Sequence, residues 1–530
     1  MVQFDQKDPI LRNIAQRITQ RLSKPMDITL IIDPQMEEFC GKIENGVLSA
    51  GSYGQLLDVT GRFLRNPEID HQTFHSHKKM CGMYFATHFQ NYLDAAPLEE
   101  IFDYIDDLAF WGMNTLKVWF DMHHFRDMAE GKQKSDRLVA ILNYAHTIGI
   151  KTWITTLSNE SFVDSPKHLR ADWTSGHDGY IRDLNDHYHL ELCPSKPGGM
   201  EQIIAYRRQM LEVFAPAQPD FISIGPYDQG GCTCKECAPW GSNGYLRTVE
   251  ALIPVIREYL PHAKIILSTW QFGTFTGNDV EFEGLQEAMA GARFPEVAYS
   301  ISEPQYAHYP FCHDMHRPLI NFPEISMFGA APWGGYGANP LPKLFQGLWE
   351  KNGDKLEGGI PYSEGLYEDI NKVIVLRQYR DNQPAEQTVR EYLAYEFGLT
   401  GELLEKTFRA VLDMEETLER IYDLPYIKDS EGRYTLPRPN RRNQPHQSVI
   451  QHPEKVFAIE QAILEVDRQL AEKAKNSKKW QLLKLRALID AELTRNKFFR
   501  NETVLGYYRQ LVELCHLHNA GMHTKPDIAE

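Results

Sequence analysis

Between residues 79 and 380 the chain repeats one pattern of hydrophobic and polar positions: a short apolar run followed by a longer amphipathic stretch. The apolar runs are rich in β-branched and aromatic residues, which is typical of strands buried on both faces, and the amphipathic stretches have helical spacing. The predicted strands are 82–89, 115–121, 151–158, 220–225, 264–270, 296–302, 319–325 and 358–364. Eight strand–helix units of this length predict an α/β fold, the (β/α)8 or TIM barrel.

A different pattern precedes this repeat. Residues 9–23 have the spacing of an amphipathic helix, and strands are predicted at 28–33 and 42–51, the second interrupted by an Asn45-Gly46 turn. A helix that Ser52 caps follows. These elements predict a small α/β domain.

Beyond the repeat, the chain has helical periodicity at 388–422 and again at 453–518, with a loop rich in Pro, Arg and Asn at 425–452. The apolar faces of these helices need a partner, so we expect them to pack on the barrel and to contribute to the substrate rim or to a homodimer interface. The predicted domains are a small N-terminal α/β domain (1–78), a catalytic barrel (79–380) and an all-helical C-terminal domain (381–530).

Composition narrows the class of protein. Hydrophobic residues make up 42% of the chain and charged residues 24%, as in ordinary globular proteins. A net charge of −16 argues against a nucleic-acid partner. No run is apolar enough to span a membrane, and the charged N-terminus lacks the apolar core of a signal peptide. With 8 cysteines, three of them clustered, a cytoplasmic location is expected.

The stretch PDFISIGPYDQGGCTCKECAPWG (219–241) is the most informative of the sequence. An apolar strand ends at Gly225-Pro226 and is followed by Tyr227, Asp228 and Gln229, then by two glycines and three cysteines. In an α/β barrel the carboxyl ends of the strands carry the chemistry. We therefore interpret this stretch as an active-site element, although a capped strand with incidental cysteines is the alternative.

Polar and aromatic residues recur at the ends of the other predicted strands, which predicts a pocket for a polyhydroxylated ligand. The candidate substrate-binding residues are His88, Trp119, Asp121, His123, Asn159, Glu160, Tyr227, Gln229, Trp270, Tyr306, His308, Trp333 and Tyr362. Four carboxylates, Asp228, Glu303, Glu324 and Glu364, are the candidate catalytic residues. Glycoside hydrolysis requires two carboxyl groups, one protonated to assist departure of the leaving group and one ionised to attack or to activate water. Desolvation under a bound sugar would raise the pKa of Asp228 and suit it to the acid role.

The cysteines form a second constellation. Cys232, Cys234 and Cys237 follow a C-x-C-x-x-C spacing, and Cys193 in LELCPSKPGG is the candidate fourth ligand. Four thiolates would close a tetrahedral structural zinc site. Free thiols packed in a tight loop are the alternative.

The sequence resembles the glycoside hydrolase group of β-hexosaminidases, α-glucuronidases and α-N-acetylglucosaminidases. The similarity lies in CGMYFATHF and WGMNTLKVWFD at the start of the barrel and in KIENGVLSAGSYGQLLDVTGRFL before it. The D-x-G-G-C-x-C-x-x-C loop, with L-C-P-x-x-P upstream, is similar to that of poorly characterised bacterial relatives. The resemblance implies the three-domain architecture and a glycosidase activity. The α-glucuronidase pattern would fit Asp228 with Glu303 and Glu324.

The chain departs from the hexosaminidase pattern at one residue. Hexosaminidases carry Asp-Glu after the fourth strand, whereas this chain has Asp228-Gln229, and glutamine cannot donate the proton. The sequence therefore predicts an exo-acting glycosidase with Asp228 as general acid and an oligosaccharide or glycoside substrate. The alternatives are a zinc-dependent hydrolase, such as a carbohydrate deacetylase, and a non-catalytic sugar-binding barrel.

Overall fold

The computed structural model describes the greater part of the chain. The described residues are 1–22, 24–87, 91–120, 128–162, 165–172, 190–226, 231–270, 272, 280–291, 293–301, 314–323, 325, 338–363, 365, 369–417, 427–428, 434–435, 452–497 and 501–517.

The strands form two large sheets and a short hairpin. In chain order they are β1 (Val2–Gln3), β2 (Ile28–Ile32), β3 (Cys40–Glu44), β4 (Val47–Ala50), β5 (His71–His75), β6 (Met80–Phe85), β7 (Thr115–Val118), β8 (Lys151–Leu157), β9 (Phe221–Gly225), β10 (Lys264–Ser268), β11 (Val297–Ile301), β12 (Leu319–Ile320), β13 (Gly358–Gly359), β14 (Tyr362–Ser363), β15 (Ile427–Lys428) and β16 (Tyr434–Thr435). The first sheet has the order β1-β2-β4-β3-β5. The second is parallel, with the order β12-β11-β10-β9-β8-β7-β6-β13, and β14 also pairs with β6.

Helices surround the second sheet and continue beyond it. They are α1 (Pro9–Arg21), α2 (Tyr53–Arg65), α3 (Tyr92–Ala95), α4 (Leu98–Phe110), α5 (Met128–Thr147), α6 (Gly199–Phe214), α7 (Gly244–Tyr259), α8 (Val280–Ala290), α9 (Pro342–Asn352), α10 (Asp369–Asp381), α11 (Ala385–Phe397), α12 (Gly401–Glu416), α13 (Pro453–Gln469), α14 (Glu472–Lys475), α15 (Lys478–Arg495) and α16 (Glu502–Leu514). Within the described part of the chain, no helix has both the length and the apolarity needed to cross a bilayer.

The parallel sheet is a nearly closed eight-stranded barrel with helices around it, which confirms the predicted (β/α)8 fold. The side chains of β6, which point alternately to its two faces, show how the sequence specifies the barrel. Met80 and Tyr84 belong to the cluster that fills the barrel interior, whereas Cys81, Met83 and Phe85 pack into the layer between strands and helices. Side chains alternate across a strand, so a strand that is apolar at every position contacts two cores at once.

Glycines close the barrel where its last strand meets its first. A Cβ on Gly358, which has a φ of +130°, would lie 1.7 Å from the Met80 carbonyl oxygen. On the other side, a backbone bridge joins Asn321, directly after β12, to Gly359. Only residues without a side chain permit this approach.

Except for β9, the paired strands end before the carboxyl ends of their predicted ranges. The run 319–325 pairs only over β12, and 358–364 is split into β13 and β14. Among the described residues, Trp119 after β7 and Phe322 after β12 lie just beyond the paired segments, although their composition is still that of a strand.

The N-terminal unit has five strands where the sequence predicted two ranges. Asn45 and Gly46 both have positive φ, as in the predicted hairpin turn, and Ser52 caps α2 by accepting a hydrogen bond from the Gln55 amide. The strand β5 escaped prediction because it is an edge strand whose side chains, except Phe74, are exposed. The strand β1 is only two residues long.

The helical C-terminal region packs on the barrel, as predicted. Lys479 of α15 lies 3.0 Å from Glu396, 3.2 Å from Asp369 and 3.4 Å from Asp107, and its side chain is only 12% exposed. Asp107 belongs to α4 of the barrel layer, so one buried ammonium joins elements far apart in the sequence. The hairpin β15–β16 lies in the loop predicted to lack regular structure. The contribution of the helical C-terminal region to a substrate rim or a homodimer interface stays a prediction.

A buried ion network joins the N-terminal unit to the last barrel helix. Asp58 of α2 contacts Arg377 of α10 at 2.6 Å and Arg62 at 2.9 Å, and the side chains of Asp58 and Arg377 are both 1% exposed. Burial alone would raise the pKa of Asp58, but the charges of Arg62 and Arg377 outweigh it and hold the pKa well below the ordinary range.

We predict that Asp58→Asn lowers the free energy of unfolding by about 3 kcal/mol, because it leaves the buried Arg377 without its full counter-charge. Asparagine keeps the shape and part of the hydrogen bonding, so the loss should fall at the lower end of the range for broken buried pairs. Urea unfolding at neutral pH measures the effect.

The control is Asp136→Asn, which breaks an exposed pair with Lys132 and should cost well under about 1 kcal/mol. Because the folded-state pKa of Asp58 is depressed, the extra stability is complete above the ordinary aspartate pKa, about 4, and is lost only as the pH falls below it. Equal losses in the two variants, or a difference between them that is unchanged down to pH 3, would contradict this account.

Candidate functional site

The parallel strands of the barrel place their carboxyl ends at one mouth, where active sites of this fold lie. Five predicted substrate-binding residues lie in the described part of the chain, and three of them are aromatic. Trp119 directly follows β7, Trp270 follows β10, and Tyr362 begins β14. Trp119 and Tyr362 are each 7% exposed, and Trp270 is half-buried.

These three rings belong to a larger aromatic set, which we call the aromatic floor: Tyr84, Trp119, Trp270, Phe322 and Tyr362. Ring centroids are 5.0 Å apart for Tyr84 and Tyr362 and 5.1 Å apart for Trp270 and Phe322. Tyr84 also lies 6.4 Å from Trp119 and 6.5 Å from Phe322. Tyr84, Trp119 and Tyr362 are buried, so the set forms a contiguous aromatic layer at the carboxyl ends of the strands, and aromatic rings of this kind commonly line sugar-binding pockets.

Sequence reasoning did not single out Lys117, which lies beneath this floor. Its Nζ is 3.9 Å from the centroid of the Tyr84 ring and 5.1 Å from that of Trp153, and the residue is 6% exposed. In the strand register Lys117 is level with both residues. A buried ammonium against aromatic faces is stabilised by the ring quadrupoles. The sequence feature that could have identified this residue is a single lysine inside the otherwise apolar strand TLKVWF.

Asn159 and Glu160 follow β8 and are almost fully buried. The Asn159 side-chain amide donates to the Leu192 carbonyl at 3.0 Å, and Glu160 forms an antiparallel bridge with Glu191. The sequence predicted that Asn159 and Glu160 bind substrate. In the structure, both residues join the start of the long loop between β8 and α6 to its end.

Arg207 of α6 supports this connection. Its Nη2 donates to the Glu160 carbonyl at 2.8 Å, and its Nε donates to the Leu157 carbonyl. Burial lowers the pKa of Arg207 to about 10, against the opposing effect of the Glu160 charge.

The remaining predictions for the mouth fall outside the described residues. They are the catalytic candidates Asp228, Glu303, Glu324 and Glu364 and the binding candidates His88, Asp121, His123, Tyr227, Gln229, Tyr306, His308 and Trp333.

The four predicted cysteine ligands are brought together. The Sγ atoms of Cys193, Cys232, Cys234 and Cys237 lie within 4.8 Å of one another, and all but Cys234 are buried. Cys193 Sγ is 3.7 Å from both Cys234 Sγ and Cys237 Sγ. Hydrogen bonds among the sulfurs lower the pKa of the Cys193 thiol and raise the pKa values of Cys232 and Cys237, so they favour a thiolate at Cys193 and thiols at the other two. Soft ligands in this number suit a thiophilic metal ion such as zinc.

No protein-family model and no curated protein matches the sequence. Among solved structures, the fold is similar to a family 89 glycoside hydrolase from Clostridium perfringens in complex with PUGNAc. The TM-score is 0.60 at 12% identity, over 96% of this chain and 65% of that one. A second structure of that enzyme, in complex with its substrate GlcNAc-α-1,4-galactose, has a TM-score of 0.59 at 12% identity, with 96% and 64% covered.

The fold is also similar to a family GH115 4-O-methyl-α-glucuronidase with specificity for decorated arabinogalactans. There the TM-score is 0.60 at 9% identity, over 99% of this chain and 77% of that one. The chain therefore spans slightly less than two thirds of the Clostridium enzyme and about three quarters of the glucuronidase. At these identities the comparison establishes a common fold.

Proposed function

We propose that the chain is a glycoside hydrolase that releases a terminal sugar at the barrel mouth by carboxylate general acid/base catalysis. The observation that carries the proposal is the aromatic floor. It lies at the same strand ends after which the sequence places Asp228, Glu303, Glu324 and Glu364. Rings that stack on a sugar, with carboxylates around them, are what glycosidic cleavage needs.

In this proposal Asp228 is the general acid that protonates the departing oxygen. One of Glu303, Glu324 and Glu364 either attacks the anomeric carbon or activates a water molecule. A separation of about 5–5.5 Å between the two carboxyl groups would give retention, and about 6.5–9.5 Å would give inversion. Gln229 can bind a sugar hydroxyl or amide but cannot supply the proton.

The structural neighbours narrow the first substrates to test. Both enzymes are named for α-linked sugars, one with GlcNAc-α-1,4-galactose as its substrate and the other as an α-glucuronidase. We therefore propose an α-glycoside as the substrate, with a terminal N-acetylglucosamine or uronic acid as the leading candidates.

The alternative of a zinc hydrolase has less support. Hydrolytic zinc keeps a coordination position open for water, whereas four cysteines close the tetrahedron. A non-catalytic sugar-binding barrel is the other alternative, and Gln229 is the feature that favours it.

A panel of aryl α- and β-glycosides, assayed with and without a chelator, separates the three functions. We expect release of the aryl group from at least one α-glycoside, at a rate that brief chelator treatment at low temperature leaves unchanged. Activity lost at once on chelation, with the fold intact by circular dichroism, would favour the zinc hydrolase. Sugar binding without turnover on any member of the panel would favour the binding protein.

We predict that Lys117→Met lowers kcat/KM by about 10- to 100-fold, the equivalent of about 1.4–2.7 kcal/mol. In this proposal the buried positive charge stabilises an ionised carboxylate at the mouth, and methionine keeps the length of the side chain without the charge. Loss of the cation should raise the pKa of the ionised catalytic carboxylate, so the acidic limb of the pH–rate profile should move to higher pH.

The matched control is Lys132→Met, which removes an exposed lysine and should leave both kcat/KM and the pH profile unchanged. A Lys117→Met enzyme with a reduced rate but an unshifted acidic limb would assign Lys117 to packing alone.

A further inference from the structure

We propose that Cys193, Cys232, Cys234 and Cys237 bind one structural Zn2+ ion that joins the loop after β8 to the loop after β9. This inference is independent of the proposed reaction. The sulfur spacing is its first support. A tetrahedral zinc ion with Zn–S bonds of about 2.3 Å places its sulfurs about 3.8 Å apart, and two of the Sγ–Sγ distances are 3.7 Å. A disulfide would need about 2.05 Å.

The backbone holds the cysteines in a preformed arrangement. The amides of Cys237 and Ala238 both donate to the Cys234 carbonyl, at 2.9 and 3.0 Å, so the chain turns tightly between the second and third cysteines of the loop. On the other side of the site, the Cys193 amide donates to the Leu169 carbonyl at 2.9 Å. A Cβ on Gly199 would lie 2.0 Å from the Cys193 carbonyl oxygen, so glycine is required there.

Polar groups of the surrounding chain contact two of the sulfurs. The Asp172 amide donates to Cys232 Sγ at 3.4 Å, and Ser195 Oγ lies 3.0 Å from Cys237 Sγ. Ser195 Oγ also accepts a hydrogen bond from Arg247, and its own hydroxyl proton can be donated to the sulfur. Hydrogen bonds of this kind to the ligand atoms are typical of metal sites, where they orient the ligating side chains.

Two cations offset the charge of the proposed site. Four thiolates and one Zn2+ carry a net charge of −2, and the site is largely buried. Arg247 donates to Ser195 and to the Glu236 carbonyl on either side of the cluster. Lys196 donates to the Arg170 carbonyl at 2.6 Å and to Asp172 at 2.9 Å. Both cations thus lie beside residues that neighbour the ligands, although the Asp172 carboxylate cancels part of the Lys196 charge.

The position of the site in the barrel indicates its role. Only six residues, 226–231, separate the end of β9 from Cys232. An ion that fixes Cys232 against Cys193 therefore restrains the short segment that carries Tyr227, Asp228 and Gln229. Since four protein ligands leave no open position, the ion is structural rather than catalytic.

Elemental analysis of the tag-free full-length protein tests the inference without any substrate. We expect one zinc per chain in the wild type and less than about 0.1 in Cys234→Ser, because metal binding and local folding share one free energy. Cys40→Ser, which removes a cysteine of the N-terminal sheet, should keep one zinc. Less than half a zinc in the wild type, or iron in its place, would overturn the inference, as would equal zinc in the two variants.

Cobalt exchange keeps the test decisive if Cys234→Ser does not fold. Wild-type protein exchanged with Co2+ should show the thiolate-to-metal charge-transfer band and the intense visible bands of a tetrahedral thiolate site. Absence of both from the exchanged, folded protein would overturn the inference. Because neither readout involves turnover, the metal site can be confirmed or rejected whether or not the chain proves to be a glycosidase.

Discussion

Replacing Asp228 by asparagine should lower turnover by about 10²- to 10⁴-fold on glycosides with poor leaving groups, the usual contribution of a general acid. Such a substrate needs a proton on the departing oxygen, and asparagine cannot supply it. On an activated aryl glycoside, such as a dinitrophenyl glycoside, the leaving group needs little assistance, so the loss should be much smaller. Steady-state kinetics on the two substrates measures the difference.

The matched control lies at the opposite end of the same strand. Asp220 directly precedes β9 and accepts a hydrogen bond from the Thr152 amide at 2.8 Å, away from the barrel mouth. Asp220→Asn should leave both rates nearly unchanged. Equal losses on the two substrates in Asp228→Asn would assign Asp228 to binding or to nucleophilic attack instead.

The largest effect is expected at the partner carboxylate. Among Glu303→Ala, Glu324→Ala and Glu364→Ala, one variant should lose activity on both substrates, because no leaving group compensates for a missing nucleophile or base. Azide, a small anion that fits the space left by the carboxylate, should restore part of that activity on the activated substrate. The assay is release of the aryl group at increasing azide concentration.

Glu296→Ala is the control for this series, since Glu296 is an exposed residue just before β11, at the end of that strand opposite Glu303. It should be fully active. If none of the three variants is inactive, and Asp121→Ala or Glu160→Ala is instead, the assignment of the mouth residues is wrong.

The sequence was most informative where local patterns decide the structure. The helices that precede β7 and β8 are followed within two residues by Gly112 and Gly149, and both glycines have positive φ, as is typical after a helix C-terminus. The Asn45-Gly46 turn was likewise readable, since its two positive φ angles require those residue types. The eight-stranded barrel followed from the repetition of such units.

The sequence could not predict the distances between side chains that lie on different strands and loops of the barrel. Cys193 was a candidate ligand only because it lies after the predicted third strand, and its approach to Cys237 depends on how two long loops pack. Lys117 was not predicted as a site residue, because a single charged residue in an apolar strand forms no repeating pattern. Its burial against Tyr84 arises from the register in which β7 pairs with the preceding strand, β6. The sequence likewise could not identify the carboxylate that faces Asp228, because this also depends on distances between different strand ends.

One measurement tests the central claim most directly: a crystal structure of the Asp228→Asn variant soaked with the glycoside that the wild type hydrolyses. We predict an intact sugar against Trp119, Trp270 and Tyr362, with its anomeric carbon between the side chain at position 228 and a second carboxylate. A sugar bound away from these rings, or one at the mouth with no second carboxylate within about 10 Å of position 228, would contradict the account.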